Sequence, residues 1–412
     1  MKSFLVVAIA AVSFVLQPPI RADIVVPGAN GRDGVFAPVS NIEVDLSQAI
    51  TATWDSTTES GGRGVYDPAK WAVVFRYASV NIPEGVTVTF KNHPTRAPVV
   101  WLVSGDASIG GRVLLDGKDD SSLNPVEPGP GGFRGGRGGN TSSTPGGGGM
   151  GPGGGKPTPD AATPSGASHS IRGSTYSGPA YGDNGIRRLM GGSGGGGILT
   201  ADGSGGGGGG AILIAAQGTL NLTGLIRANG GIGRVGGGSG GAIRMIANSF
   251  TGAGTLRAIG TPSRGVLFDG QPGYIHASSP GLEGEILGNI ASQPSATTES
   301  LSGTVELWPD ESFPQARILS VADLPVAADP AAALAPQAPD VSLPPAAHHT
   351  VVIETRNFPP TGTVTLFVTA LRGDRTEVIA SHTSGNETVS TWTATLSGVT
   401  GRHALQVRAV AP

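Results

Sequence analysis

Residues 115–120 read LDGKDD, which gathers Asp116, Asp119 and Asp120 around Lys118. Oxygen ligands at that density could hold a calcium ion. The EF-hand pattern D-x-[DN]-x-[DN]-G is not met, and a solvated acidic turn is the competing reading. Hydrolysis of a sugar chain needs two carboxylates across a cleft, and elimination needs a base beside a calcium-held uronate. Asp106 in the SGD turn, Asp116, Lys118, Arg227 and Arg257 could supply such groups. Spacing alone brings no two of them to one substrate.

STYSGPAYGDNGIRR, residues 174–188, sets Tyr176 and Tyr181 near Arg187 and Arg188. Flat rings beside forked donors suit sugar rings or carboxylated glycans. Equally, the tyrosines could pin this segment onto the rest of the fold. His93, His169, His276, His348, His349, His382 and His403 are scattered, with neither H-E-x-x-H nor a serine-histidine-aspartate order.

Glycine runs invite a nucleotide reading, and the flanking residues refuse it. A dinucleotide fingerprint needs strand, G-x-G-x-x-G, then helix, whereas GGGGGGAILIAA puts the glycines before a strand. In GMGPGGGKPT, Met150 stands where a phosphate loop needs glycine, and Pro157 where it needs Ser or Thr. The expectation is therefore that glycine serves tight corners with positive φ and close backbone approach.

The elements that must position these residues are strands. After the N-terminal segment there is no extended apolar pattern of helical period. AVVFRYASVNI (72–82), GVTVTF (85–90), PVVWLVSG (98–105) and RVLLDG (112–117) are short, β-branched and bounded by Gly, Pro or Asn. They also repeat. GAILIAAQGTLNLTGLIRANGG (210–231) aligns with GAIRMIANSFTGAGTLRAIGT (241–261), so that Ala211-Ile212 falls on Ala242-Ile243 and Leu225–Ala228 on Thr255–Ala258. Residues 98–118 have the same order, and 273–286 look like a worn last copy. A single copy cannot bury its apolar side, whereas stacked copies bury one continuous column, the logic of a solenoid. Five such coils from Trp71 to Ile290 would stand roughly 25 Å tall at strand spacing. Residues 118–210 interrupt them with a Gly-rich insertion, either disordered or ordered as extended glycine strands bonded side by side. From residue 315 glycine thins out, and alternating strands with turns every eight to twelve residues predict a β-sandwich of immunoglobulin type.

The first 22 residues fit a secretory signal peptide: Lys2, then the apolar run FLVVAIAAVSFVL, then Ala22 as the last residue before cleavage. The expected location is extracellular or at the cell surface, with no transmembrane segment after cleavage. There are no cysteines, so neither disulfides nor thiolate metal sites contribute. Net charge is −3, and loss of residues 1–22 removes Lys2 and Arg21 and no acid, leaving −5. That balance disfavours nucleic acid, even for the arginine-glycine-glycine repeat in GGFRGGRGGN. No cofactor is implied beyond the calcium reading, and the expected partner is a polysaccharide or a cell-surface component.

With GVYDPAKWAVVFRYASVNIPEGVTVTFKNHP, APVVWLVSGDASIGG, the GGGGGGAILIAA…GLIRANGG repeats and ARILSVADLPV, the chain resembles glycine-rich exported bacterial proteins of planctomycete type. The resemblance covers most of residues 30–412. It implies an all-β fold: a right-handed parallel β-helix with a terminal sandwich, mostly without assigned activity. The expected organisation is signal peptide 1–22, N-terminal β segment or cap 23–70, β-helix 71–290 with insertion 118–210, linker 291–314 and immunoglobulin-like sandwich 315–412. The functional expectation is a non-catalytic structural or surface protein. Its alternatives are a polysaccharide lyase or hydrolase on a β-helix, with Asp106, Asp116 and Lys118 as the catalytic candidates, and an adhesin with a polyglycine binding head.

Overall fold

The computed structural model describes residues 23–120, 124–140, 145–159, 165–199, 203–262, 270–280, 295–331 and 339–412. The expected signal peptide, the second half of the worn last copy and the expected end of the repeats at Ile290 lie outside these residues. Among them the chain is all-β, with one short 3-10 turn at Leu46–Gln48.

Three rows of parallel strands organise residues 35–300. The widest row runs Ala72–Tyr77, Val99–Val103, Ala211–Leu222, Ala242–Thr251, Tyr274–Ser279 and Ala296–Ser300, each paired in parallel with the next. A second row joins Val35–Phe36, Ser79–Ile82, Ala107–Ile109 and the C-terminal ends of the two long strands. The third takes Ile42–Asp45, Thr87–Lys91, Arg112–Leu114, Leu225–Arg227 and Thr255–Arg257. The chain visits the rows in turn and comes back one strand further on. The register is the one the repeats predict: Ala211 faces Ala242 and Leu225 faces Thr255. Rows two and three already begin at Val35 and Ile42, so the layers start before Trp71. Antiparallel pairing of Val65–Asp67 with Ala72–Tyr77 closes that end.

Alternation along each strand sends one set of side chains inward. Phe75, Trp101, Ile212, Ile214, Leu220, Ile226, Ile243, Met245 and Leu256 form one buried column. The other set on the wide row, Val74, Val100, Leu102, Leu213 and Ile246, is buried too, beneath Ile24, Val26, Val305 and Leu307. A strand covered on both faces reads as a continuous apolar run, which is why AILIAA does not alternate. Residues 296–308 therefore do not behave as the expected linker. Ala296–Ser300 extends the wide row, Gly303–Thr304 pairs with Ile24–Val25, and Val305 and Leu307 cover the sheet.

The insertion is ordered over its described residues; Gly131, Gly151, Gly182 and Gly203 have the positive φ expected of corners, whereas the run 205–210 shows only the close backbone approach. The amides of Gly205, Gly206 and Gly207 donate to Gly136, Gly236 and Lys118 carbonyls at 2.8, 2.9 and 3.0 Å. Those of Gly208, Gly209 and Gly210 donate to Phe133, Ser239 and Leu115 at 2.9, 2.9 and 2.7 Å. Every third amide thus returns to the same neighbouring segment, as threefold extended strands of polyproline II type must arrange it. From residue 204 to 210 no glycine has positive φ. The requirement is space: a Cβ on Gly206 would lie 1.8 Å from the Gly231 carbonyl oxygen, and on Gly208 1.8 Å from that of Gly192. Glycine is needed here for contact of backbone with backbone on every side, and not for a turn.

Residues 315–410 form two antiparallel sheets. One contains Leu324–Pro325, Gln315–Val321, His348–Arg356, Val389–Ser397 and Ser381–Gly385; the other contains Arg375–Ile379, Thr363–Ala370 and His403–Val410. Val351, Ile353, Trp392 and Leu396 of the first and Val364, Leu366 and Val368 of the second share one core.

Candidate functional site

The carboxylates singled out by the sequence hold the main chain one layer on. The Thr219 amide donates to Asp106 Oδ1 at 2.7 Å, that of Asn229 to Asp116 Oδ1 at 2.9 Å, and that of Ile232 to Asp119 Oδ1 at 2.8 Å. All three ties span 113 residues, the offset between the strands flanking the insertion. Asn229 continues the ladder by accepting from the Ile259 amide, 30 residues on. Asp116 Oδ2 also accepts from Arg227 Nε and Nη2 at 2.8 and 2.7 Å. Arg227 faces Arg257 in the next layer, and Arg257 is exposed. Lys118 is exposed, and its main chain is tied to Glu127 and Gly207.

Asp116, Asp119 and Asp120 do not converge. Among the described residues no group of three or more His, Cys, Asp or Glu side chains is placed to hold a metal ion. The reason is geometric: in an extended segment tied to the next layer, the Asp116 and Asp119 carboxylates each accept a separate amide, while Asp120 is tied through its own amide to the Ile232 carbonyl.

The tyrosine-arginine set is split. The Tyr181 hydroxyl donates to the Gly191 carbonyl at 2.7 Å and accepts from Ser193 Oγ at 2.9 Å. Its ring stacks on His169 at 4.4 Å, and burial pushes the hydroxyl well above its ordinary pKa. These side-chain contacts lie within the insertion, so Tyr181 braces it internally; its tie to the stacked strands is made by the Tyr274 hydroxyl, which donates to the Tyr181 carbonyl at 3.1 Å. His169 Nδ1 donates to the Gly240 carbonyl at 2.7 Å, and burial pulls its pKa down to about 4. Arg187 and Arg188 lie over Phe313 at 5.7 and 4.9 Å, and Arg188 also reaches the Pro314 carbonyl. Tyr176 is left on the surface, 37% exposed.

Two concavities escaped the sequence reading. The first is an apolar groove of about 880 Å³ between Gln315–Val321 and His403–Val410, lined by Ile318, Val321, Val326, Leu343, Leu405 and Val407. The second holds about 230 Å³ where the insertion meets the C-terminal sheets, and Lys156, Arg172, Arg375 and Arg408 line it with a single acid, Glu377. Arg375 is buried and fastens that junction. Its Nη1 donates to the Gly151 and Gly154 carbonyls at 3.2 and 3.3 Å, and its Nη2 to Pro152 at 3.3 Å. The guanidinium lies 4.2 Å from the Phe367 ring centroid. Burial lowers its pKa to about 10, which leaves it charged at neutral pH. The Gly151 amide donates to Gln406 Oε1 at 3.1 Å, and that of Gly373 to the Gly146 carbonyl at 2.7 Å. No local pattern announces this pocket, because residues 154–179 and 365–410 meet only in the fold.

No helix among the described residues is long and apolar enough to cross a membrane. No family model, curated protein or solved structure matches the chain.

Proposed function

We propose that the chain is an exported, non-catalytic structural protein of a cell surface or extracellular matrix. On this reading the parallel rows are a right-handed β-helix that carries an ordered glycine bundle and an immunoglobulin-like sandwich, with polysaccharide or a neighbouring surface component as partner. The observation that carries it is where the polar groups point. Asp106, Asp116 and Asp119 hold amides of the next layer. Tyr181, Arg375 and the glycine amides bond to the protein's own main chain. Groups so occupied give rigidity, and a surface built this way presents shape and charge.

The test incubates residues 23–412 with acidic and neutral polysaccharides, with and without calcium, and follows retained protein and newly formed chain ends together. Retention without new chain ends is the expected result. New chain ends lost in the Asp106→Asn and Asp116→Asn variants would replace the scaffold with a lyase or hydrolase.

The ordering of the insertion also favours a second reading, an adhesin whose glycine bundle is the binding head. Deleting residues 119–209 is a poor test, because Gly206, Gly209 and Ser193 pair with the run 236–239 and the deletion strips that run of its partners. Surface substitutions that leave the bundle folded separate the two readings.

A further inference from the structure

Four cations, Lys156, Arg172, Arg375 and Arg408, and one acid, Glu377, line the pocket between the insertion and the C-terminal sheets. In a chain whose net charge is −3, that is a local excess of three positive charges. Lys156 and Arg172 are exposed and Arg408 is half-buried. Among the described residues none of these three has an ion-pair partner. Ion pairs do form elsewhere on the chain, between Lys91 and Asp45, between Arg227 and Asp116, and between Glu354 and both Arg317 and Arg356; what sets the pocket apart is that its cations share one concavity.

The fourth cation is fixed. Arg375 is held by three main-chain carbonyls and by Phe367, so its charge cannot swing away into solvent. A buried, immobile positive charge with mobile ones around the opening attracts an anion more strongly than four free side chains would, because less side-chain entropy is lost on binding. At about 230 Å³ the pocket is smaller than the 300–1,000 Å³ of sites for drug-sized ligands, and it fits one charged group or one sugar ring. Thr175 also lines the pocket, which adds a hydroxyl group able to donate to an anion.

We propose that this pocket binds an anionic group carried on a polysaccharide, a uronate carboxylate or a sulfate ester. Lys156, Arg172 and Arg408 supply the contacts, and Arg375 supplies a fixed charge behind them. The choice of polysaccharide as the carrier rests on the scaffold reading; the choice of anion rests on the pocket alone.

The experiment measures binding of residues 23–412 to polygalacturonate, dextran sulfate, neutral dextran and inorganic sulfate at 150 mM NaCl. The variant Lys156→Gln/Arg172→Gln/Arg408→Gln is compared with Arg63→Gln/Arg112→Gln/Arg257→Gln, which removes the same charge from exposed positions outside the pocket. Circular dichroism and melting establish that both remain folded. With three charged contacts removed, the pocket variant should bind a charged polymer about tenfold more weakly. The control should stay within about twofold, with polygalacturonate favoured if the carrier charge is a carboxylate and dextran sulfate if it is a sulfate. Equal losses in the two variants, equal binding of neutral dextran, or no binding of either charged polymer would overturn the assignment. Tight binding of inorganic sulfate without preference for a polymer would overturn the polysaccharide carrier. Release of chain ends in the same tubes would instead strike the scaffold reading and leave the pocket to be judged by its variants.

Discussion

The apolar column and the glycine bundle lie side by side and solve the same problem with opposite materials. In the column, Phe75, Trp101, Ile214 and Met245 fill the space between strands, and their burial supplies the driving force. In the bundle there is almost no side chain to bury. Strands approach until a Cβ would meet a carbonyl oxygen, and successive amides find partners on three neighbours in turn. The first design tolerates changes of shape and punishes loss of volume. The second tolerates no added atom. The two regions share a boundary in single strands: Gly210 and Ala211 leave the bundle and enter the column, which is why the glycine runs stand directly before Ala-Ile pairs.

The largest expected loss is in the column. Trp101→Ala empties a fully buried site and should cost about 3–5 kcal/mol, read as a fall in the urea midpoint. A loss under about 1 kcal/mol would mean that the column is not what holds the layers.

The next effect sits at the boundary. His169 is buried against Tyr181 and Tyr274 with its pKa near 4, below the 6.5 of a free histidine. The unfolded chain takes up a proton through pH 6.5, the folded chain only near pH 4, so stability should fall as pH drops across that window. The loss reaches about 3 kcal/mol once pH is below 4. Urea midpoints from pH 7 to 4 should show this slope, and His169→Phe should flatten it. A variant that keeps the full slope would assign it elsewhere, with His276, also depressed by burial, the first alternative.

Within the bundle, Gly206→Ala should destabilise by about 2 kcal/mol, since the methyl group meets the Gly231 carbonyl and the backbone must give way. Gly185→Ala is the control. Its nearest non-neighbouring atom is the Asp183 carboxylate oxygen at 3.2 Å and its φ is not positive, so the change should lie within about 0.5 kcal/mol of neutral. If both substitutions are neutral in matched melts, the contact of backbone with backbone is not what requires glycine.

The register was legible because Ala211-Ile212 and Ala242-Ile243 carry the same pattern, and stacking leaves no other way to bury both. The role of glycine was only half legible. A corner and a crowded straight strand demand the same residue, and a single sequence contains nothing that tells positive φ from lack of space. Cover by Ile24 and Leu307 was hidden because the partners are hundreds of residues apart and their own segments are short. AILIAA did hold a sign of it, since a run that fails to alternate belongs to a strand buried on both faces. Of the site, Asp106 and Asp116 looked chemical because carboxylates capping amides and carboxylates poised for catalysis have the same composition. Arg375 was invisible: its carbonyl partners lie in a glycine run more than two hundred residues earlier.

The smallest effect tests those caps, which join layers wherever side chains of the column cannot. Asp106 is exposed and makes one tie, to the Thr219 amide, so Asp106→Ala should cost about 1 kcal/mol. Asp116 adds the Arg227 pair, which is partly exposed and screened, so Asp116→Asn should lose no more than about 1 kcal/mol, and less at high salt. The two sites share no partner and should be additive in a double variant. A catalytic pair would behave otherwise: either substitution would abolish turnover while melting stayed unchanged. Losses of stability that add, in the same preparations whose glycan retention is unaffected, mark the carboxylates as the rungs by which one layer holds the next.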